Sequence, residues 1–240
     1  MGSSKEDTDT VGSFFQGWLR YWKAVDEDYL GHREVYARLN RFLKENYPEP
    51  FSLLDCGCGD SSYMVKGIAG TAIAHYTGVD ISQNALDLAR QNLEGLGFDL
   101  ELIRGDYAKQ MKTLSVEPDV IWIGLSLHHL PGESKSVFLR ECRKYLKHDR
   151  CHMLFFELLM REGESREDYI DRWWSVCESD WSVMGDADKQ SFIEHVRTSD
   201  FPEPLSAYRR LAKEAGFHGA DLLLTTSKEL YGMMVLRPAS

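Results

Sequence analysis

Ten residues, LLDCGCGDSS at 53–62, bring together the residue types that a ligand-binding turn needs. An apolar run ends on Asp55, turns through Gly57 and Gly59, and leads into a helical pattern. Glycine tolerates positive φ and lets a ligand approach the backbone, and a helix starting there offers unbonded N–H groups. Gly-x-Gly alone is weak evidence. A dinucleotide fingerprint would place a third glycine at position 62, where this chain has Ser62. Asp55 has the wrong charge to sit beside a pyrophosphate and the right one for a cation such as an amino-acid α-amine.

Further carboxylates follow at telling positions. Asp80, in GVDIS, comes 21 residues after Gly59 and can accept both hydroxyls of a ribose. Asp106 and Tyr107, in RGDY, suit a base: one can accept from an exocyclic amine and the other can stack. The run DVIWIGLSLHHL then carries Ser126, His128 and His129 out of an apolar segment, and Glu157 closes the next one. Imidazole is neutral near pH 7 and can take a proton without large tuning, so His129, farther from the strand, is the expected proton handler, with His128 and Glu157 beside it. Each residue also has a plain structural reading. Asp80 can simply end a strand, Asp106 can start a turn, Asp55 can cap a helix, and either histidine can pack.

The elements that must position these groups alternate. Apolar runs at 51–55, 75–79, 100–104, 119–125 and 153–157 read as strands, and helical patterns at 61–69, 82–96, 108–114 and 135–147 separate them. Ser82 is the expected N-cap of the second of these helices. Such alternation means right-handed βαβ units and a sheet covered on both faces. Before it, Phe14, Trp18, Trp22 and Val25, then Tyr36, Leu39, Phe42 and Leu43, recur at helical spacing until the prolines at 48 and 50. After it, residues 161–202 are helical and rich in tryptophan. A helix at 205–215, with Gly216 at its C-terminal cap, and strands at 220–225 and 231–236 close the chain.

These motifs, in this order over residues 51–157, resemble the class I S-adenosylmethionine-dependent methyltransferases, in their small-molecule branch. LLDCGCG is similar to their first motif, Asp80 to their ribose-binding acid, GDY to their adenine-contacting turn, and DVIWIGLSLHHL to their fourth motif. The resemblance implies an α/β, Rossmann-like, doubly wound sheet of seven strands in the order 3-2-1-4-5-7-6, the last antiparallel. It also implies S-adenosyl-L-methionine as cofactor, held by Asp55, Gly57, Cys58, Gly59, Asp80, Ile81, Asp106, Tyr107, Leu125 and Ser126. Residues 1–50 are then an N-terminal helical cap on a domain at 51–240, with a helical lid at about 161–202. In such a lid Tyr169, Trp173, Trp174, Trp181 and His195 are candidates to wall the substrate, although helical spacing equally describes core packing.

Composition narrows the partners. The chain has 240 residues, 43% of them apolar, with 28 Lys and Arg against 38 Asp and Glu, for a formal net charge of −10. That balance repels phosphate backbones, and there is no basic run to offset it. No apolar stretch approaches the ~20 residues of a membrane span, and the polar N-terminus has no signal-peptide character. The five cysteines include one isolated C-x-C, Cys56 and Cys58, which reads as buried thiols and not as a metal site. The expectation is a cytoplasmic enzyme, monomeric or homodimeric, that moves a methyl group to an O, N or S nucleophile of a small molecule, with no metal. The alternatives are a nucleic-acid (tRNA) or protein methyltransferase, or a catalytically silent cofactor-binding subunit; a dehydrogenase is disfavoured by Ser62 and Asp55.

Overall fold

The apolar runs pair into one sheet. In the computed structural model, which describes residues 22–239, β1 (Phe51–Cys56) lies between β2 (Ile73–Asp80) and β4 (Val120–Gly124). β3 (Asp99–Arg104) flanks β2 and β5 (His152–Met160) flanks β4, all parallel. β8 (Tyr231–Pro238) joins β5 antiparallel and carries β7 (Phe217–Thr225) on its far side. The order 3-2-1-4-5-8-7 is the expected one once an unforeseen strand is counted. That strand, β6 (Glu203–Pro204), is two residues long and pairs with Leu159 and Met160. Two residues ending in proline carry no alternation from which a strand could be read.

Helices cover both faces. Along β5, Leu154 and Phe156 point one way and Met153 and Phe155 the other, as the two-residue period of a strand requires. Leu154 and Phe156 pack with Val35, Leu39 and Phe42 of α1 (His32–Asn46). Met153 and Phe155 pack with Phe138, Leu139 and Cys142 of α5 (Gly132–Tyr145) and with Tyr208 and Leu211 of α8 (Leu205–Glu214). Between the strands run α2 (Met64–Ile68), α3 (Gln83–Leu93) and α4 (Tyr107–Gln110). Ser82 caps α3, its side chain accepting from Ala85 N–H at 3.3 Å. Gly216, at φ +90°, follows α8 in the left-handed conformation that ends helices. Phe14 and Trp18 of the expected first helix lie outside the described residues.

The segment expected to form a lid is built into the core. α6 (Arg166–Asp180) and α7 (Asp186–Ser199) bury Tyr169, Trp173, Cys177 and Ile193 in the same cluster as Phe156 and Tyr231. The Tyr169 hydroxyl donates to the Leu230 carbonyl at 2.9 Å, and Trp173 Nε1 donates to the Tyr231 hydroxyl at 2.7 Å. Trp181 stacks on Tyr29 with centroids 5.1 Å apart and meets Trp173 edge-on at 5.1 Å. Removal of such a ring costs the transfer energy of its surface plus the cavity left behind. Trp181→Ala should therefore lose about 3–5 kcal/mol in urea unfolding, whereas Trp174→Ala, on the half-buried side of α6, should lose well under half of that. Equal losses would place the two rings in equivalent surroundings.

Candidate functional site

β1 delivers the chain into a turn held from both sides. The N–H groups of Gly57 and Cys58 both donate to the Val79 carbonyl, at 2.8 and 3.1 Å. Gly57 and Gly59 have φ of +74° and +54°. A Cβ on Gly57 would come within 2.7 Å of Ser126 Oγ, while one on Gly59 would meet nothing within 4 Å. The first glycine is thus required by packing, and the second opens onto free space. Asp80, at the end of β2, ties the turn to the next helix. Its Oδ2 accepts from Gly59 N–H at 2.9 Å and its Oδ1 from Ser82 N–H at 2.8 Å. A carboxylate oxygen has two lone pairs, so both oxygens keep acceptor capacity for a ligand.

Above this turn lies a cavity of about 430 Å³. Gly57 to Ser62, Asp80 and Ser82 line one side, and His32 and Tyr36 of α1, with Trp22, line the other. Gly124, at the end of β4, lies between them; a Cβ there would come within 3.3 Å of the Tyr36 hydroxyl. His32 sits among rings, 4.9 Å from Tyr63 and edge-on to Phe156 at 5.6 Å. Burial, with Lys66 nearby, pushes its pKa down to about 3, so the imidazole stays neutral. Cys58 also borders the cavity, and burial holds its thiol far above the ordinary range.

Asp55 lies behind this surface. The Tyr76 hydroxyl donates to its Oδ2 at 2.6 Å, and Ser61 Oγ lies 3.1 Å from that hydroxyl. Burial raises the Asp55 carboxyl to about 7, against the lowering effect of the Tyr76 hydrogen bond and with a further push from Asp80. Asp106 caps α4 by accepting from Ala108 and Lys109 N–H at 2.9 and 3.3 Å. The Tyr107 hydroxyl donates to the Ser126 carbonyl at 2.9 Å, and its ring meets Phe138 edge-on. Leu125, at φ +47°, donates its N–H to the Phe156 carbonyl at 2.7 Å, and Ile81 is exposed to solvent. The structure therefore brings Gly57, Cys58, Gly59 and Asp80 together around the cavity and leaves the other expected cofactor residues beneath or beside it.

The expected catalytic group forms a separate assembly. Glu157 is fully buried and shares its face of β5 with Phe155 and Leu159, opposite the α1 side. Its Oε1 accepts from Ser126 and Leu127 N–H at 2.8 and 2.6 Å, and its Oε2 from His128 N–H at 3.2 Å and the His128 ring Nδ1 at 2.6 Å. His129 Nδ1 and His195 Nε2 approach Asp200, at 3.2 and 3.5 Å. None of these side chains lines the cavity. Tyr169, Trp173 and Trp181 are core residues, and Trp174 packs against them. Conversely, His32 and Tyr36 face the cavity and were not among the expected site residues. They stand four residues apart on one face of α1, but that pattern marks a buried face without saying what the face covers.

Comparison with known proteins bears on the fold and on the stretch that carries the glycine turn. Residues 53–149 match the model of the methyltransferase domain family. A ribosomal RNA large subunit methyltransferase I from Aeromonas hydrophila is 33% identical over 139 residues, covering 55% of this chain and 34% of that protein. The chain thus spans about a third of the length of the curated relatives it matches. Among solved structures, magnesium protoporphyrin IX methyltransferase from Synechocystis PCC 6803, with bound SAH, superposes with a TM-score of 0.64 at 14% identity, covering 95% of each chain. A methyltransferase of calicheamicin biosynthesis, also SAH-bound, gives 0.65 at 15% identity over 98% of this chain and 61% of that one. At such identities the likeness is one of fold.

The buried carboxyl makes a test. Asp55 keeps its proton up to about 7 in the fold, against an ordinary value of 3.8. The folded state therefore binds the extra proton in between, and the stability this group contributes is present below about pH 4 and lost as pH rises through about 7. Asp55→Asn has no proton to lose. Its stability relative to the parent should rise by roughly 4 kcal/mol between about pH 4 and pH 8. Urea unfolding at both pH values checks this, and a constant difference would mean that Asp55 ionises normally.

Proposed function

On the premise that residues 53–149 make the chain a member of the class I S-adenosylmethionine-dependent methyltransferases, we propose that it methylates an oxygen, nitrogen or sulfur nucleophile of a small molecule. The observation that carries this reading is the cavity at the glycine turn, of small-ligand size and walled by α1. Its residues fit the cofactor. A positive-φ glycine opens the backbone to the cavity, a carboxylate with spare acceptor capacity faces it, and aromatic rings stand opposite. Gly57 to Gly59 would hold the amino-acid end and Asp80 the ribose hydroxyls. S-adenosylmethionine, when bound, supplies a methyl group on a sulfonium, activated for in-line displacement.

The protein then has to provide position and dryness. Holding two reactants together contributes on the order of 7 kcal/mol or more to a two-body step. His32, Tyr36 and Gly124 form the wall on which the acceptor is oriented, and the aromatic residues around His32 exclude water. The neutral His32 ring adds no positive charge that would repel a sulfonium. Nucleic-acid methylation is the second reading, favoured by the names of the curated relatives. The net charge of −10 weighs against it.

Two measurements test the reading. Asp80→Ala should weaken S-adenosylmethionine binding by about 1–3 kcal/mol in calorimetry, the cost of stranding hydrogen-bonded hydroxyls. Unchanged affinity would remove Asp80 from the site. Bulk RNA should bind negligibly at physiological salt, because tight contact with several phosphates is opposed by a net charge of −10 with no basic run to offset it. Tight RNA binding that falls steeply with salt would replace the small-molecule reading with the second one.

A further inference from the structure

The assembly around Asp200 has a chemistry of its own. Glu157 is saturated by three backbone N–H groups and the His128 ring. The Nδ1 of His128 is therefore the donor to Glu157, which turns its Nε2 the other way. That Nε2 faces Asp200, whose Oδ1 lies 3.7 Å away. The Asp200 side chain is only 4% exposed, and its Oδ1 is buried without an aligned hydrogen bond. His129 Nδ1 stands 3.2 Å from the same oxygen, and the three ligand atoms lie within 4.8 Å of one another. His195 Nε2 reaches that oxygen at 3.5 Å from the solvent side.

A buried carboxylate oxygen that makes no hydrogen bond and is faced by ring nitrogens of two histidines is one that a cation would satisfy. We propose that His128, His129 and Asp200 form a binding site for a divalent transition-metal ion of the zinc class, distinct from the cavity at the glycine turn. Two imidazoles and one carboxylate select zinc or its first-row neighbours over magnesium and calcium, which take oxygen ligands. The spacing agrees. Ligands at about 2.0–2.1 Å from a tetrahedral ion stand roughly 3.3 Å apart, close to the 3.2 and 3.7 Å from Asp200 Oδ1 to the two rings. Glu157 supplies what metal-bound histidines ordinarily have, a carboxylate on the other ring nitrogen that fixes tautomer and orientation.

The position gives the ion a structural task. His128 and His129 form the 3-10 turn after β4, and Asp200 leaves the end of α7. Phe201 N–H already donates to the His128 carbonyl at 2.8 Å, and Lys135 Nζ donates to the Phe201 carbonyl. A metal would lock the same two segments together. A second grouping, Asp119, His148 and Cys151, lacks a buried, unsatisfied carboxylate oxygen, since Asp119 is part-exposed and is engaged by Ser52.

The test uses the full chain without a histidine tag, stripped with a chelator and dialysed. Zn²⁺ titration should show one equivalent bound with a dissociation constant below about 1 µM and a raised Tm, and Co²⁺ should give visible d–d bands. His129→Ala, at a half-exposed position, should fold and bind at least 100-fold more weakly. Glu157→Gln should weaken binding by about 10–100-fold where it folds. No stoichiometric metal in the parent, or parent-like affinity in folded His129→Ala, would overturn the site. Neither readout involves methyl transfer.

Discussion

A carboxylate cut off from water must be met by donors, and Glu157 is met by four N–H groups from three consecutive residues. Leaving such a charge unpaired would cost several kcal/mol, so the chain leaving β4 has little freedom. It must turn at once to present Ser126, Leu127 and His128 to the end of β5. Leu125 accepts a left-handed φ of +47° to begin that turn, anchored by its N–H on the Phe156 carbonyl. The consequences run in two directions. Gly124 is left at the mouth of the cavity, where α1 can approach it, and both histidines are carried to the opposite side of the sheet, facing the segment that leaves α7.

What could be read from the sequence follows the range of the forces involved. The sheet order, the glycine turn, the Ser82 cap and the placement of Asp80 rest on local periodicity and short spacings, and these were legible. The histidines were not. Their position after β4 made them candidates to handle a substrate proton, but the direction of His128 is set by Glu157, some thirty residues away in sequence. The aromatic residues of 161–202 show the same limit. Helical spacing puts Tyr169 and Trp173 on one face, yet only the tertiary fold shows that the face packs with Tyr231 and Phe156.

Asp80 joins the two kinds of information. Expected as a ligand residue, it is also the cross-link between the glycine turn and the start of α3. The cross-link would favour ligand binding, because a carboxylate already positioned by backbone donors loses little freedom when a ligand arrives. Opposite it stands α1, outside the residues matched by the methyltransferase domain family. The cavity is thus a composite. One wall comes from the residues matched by that family, and the other from a helix outside them.

The cysteines bring out a further property. All five are unpaired and buried, and burial holds the thiols of Cys56, Cys58 and Cys142 well above their usual range. A thiol reacts through its thiolate, so in the closed molecule these side chains are nearly inert toward alkylating reagents, although Cys58 borders the cavity. Modification of Cys56 and Cys142, which have no exposed surface, has to wait for the surrounding structure to part. The rate at which Cys56, sealed in the core beside the glycine turn, is labelled is then a clock for the opening of that core, built into the chain without any introduced probe.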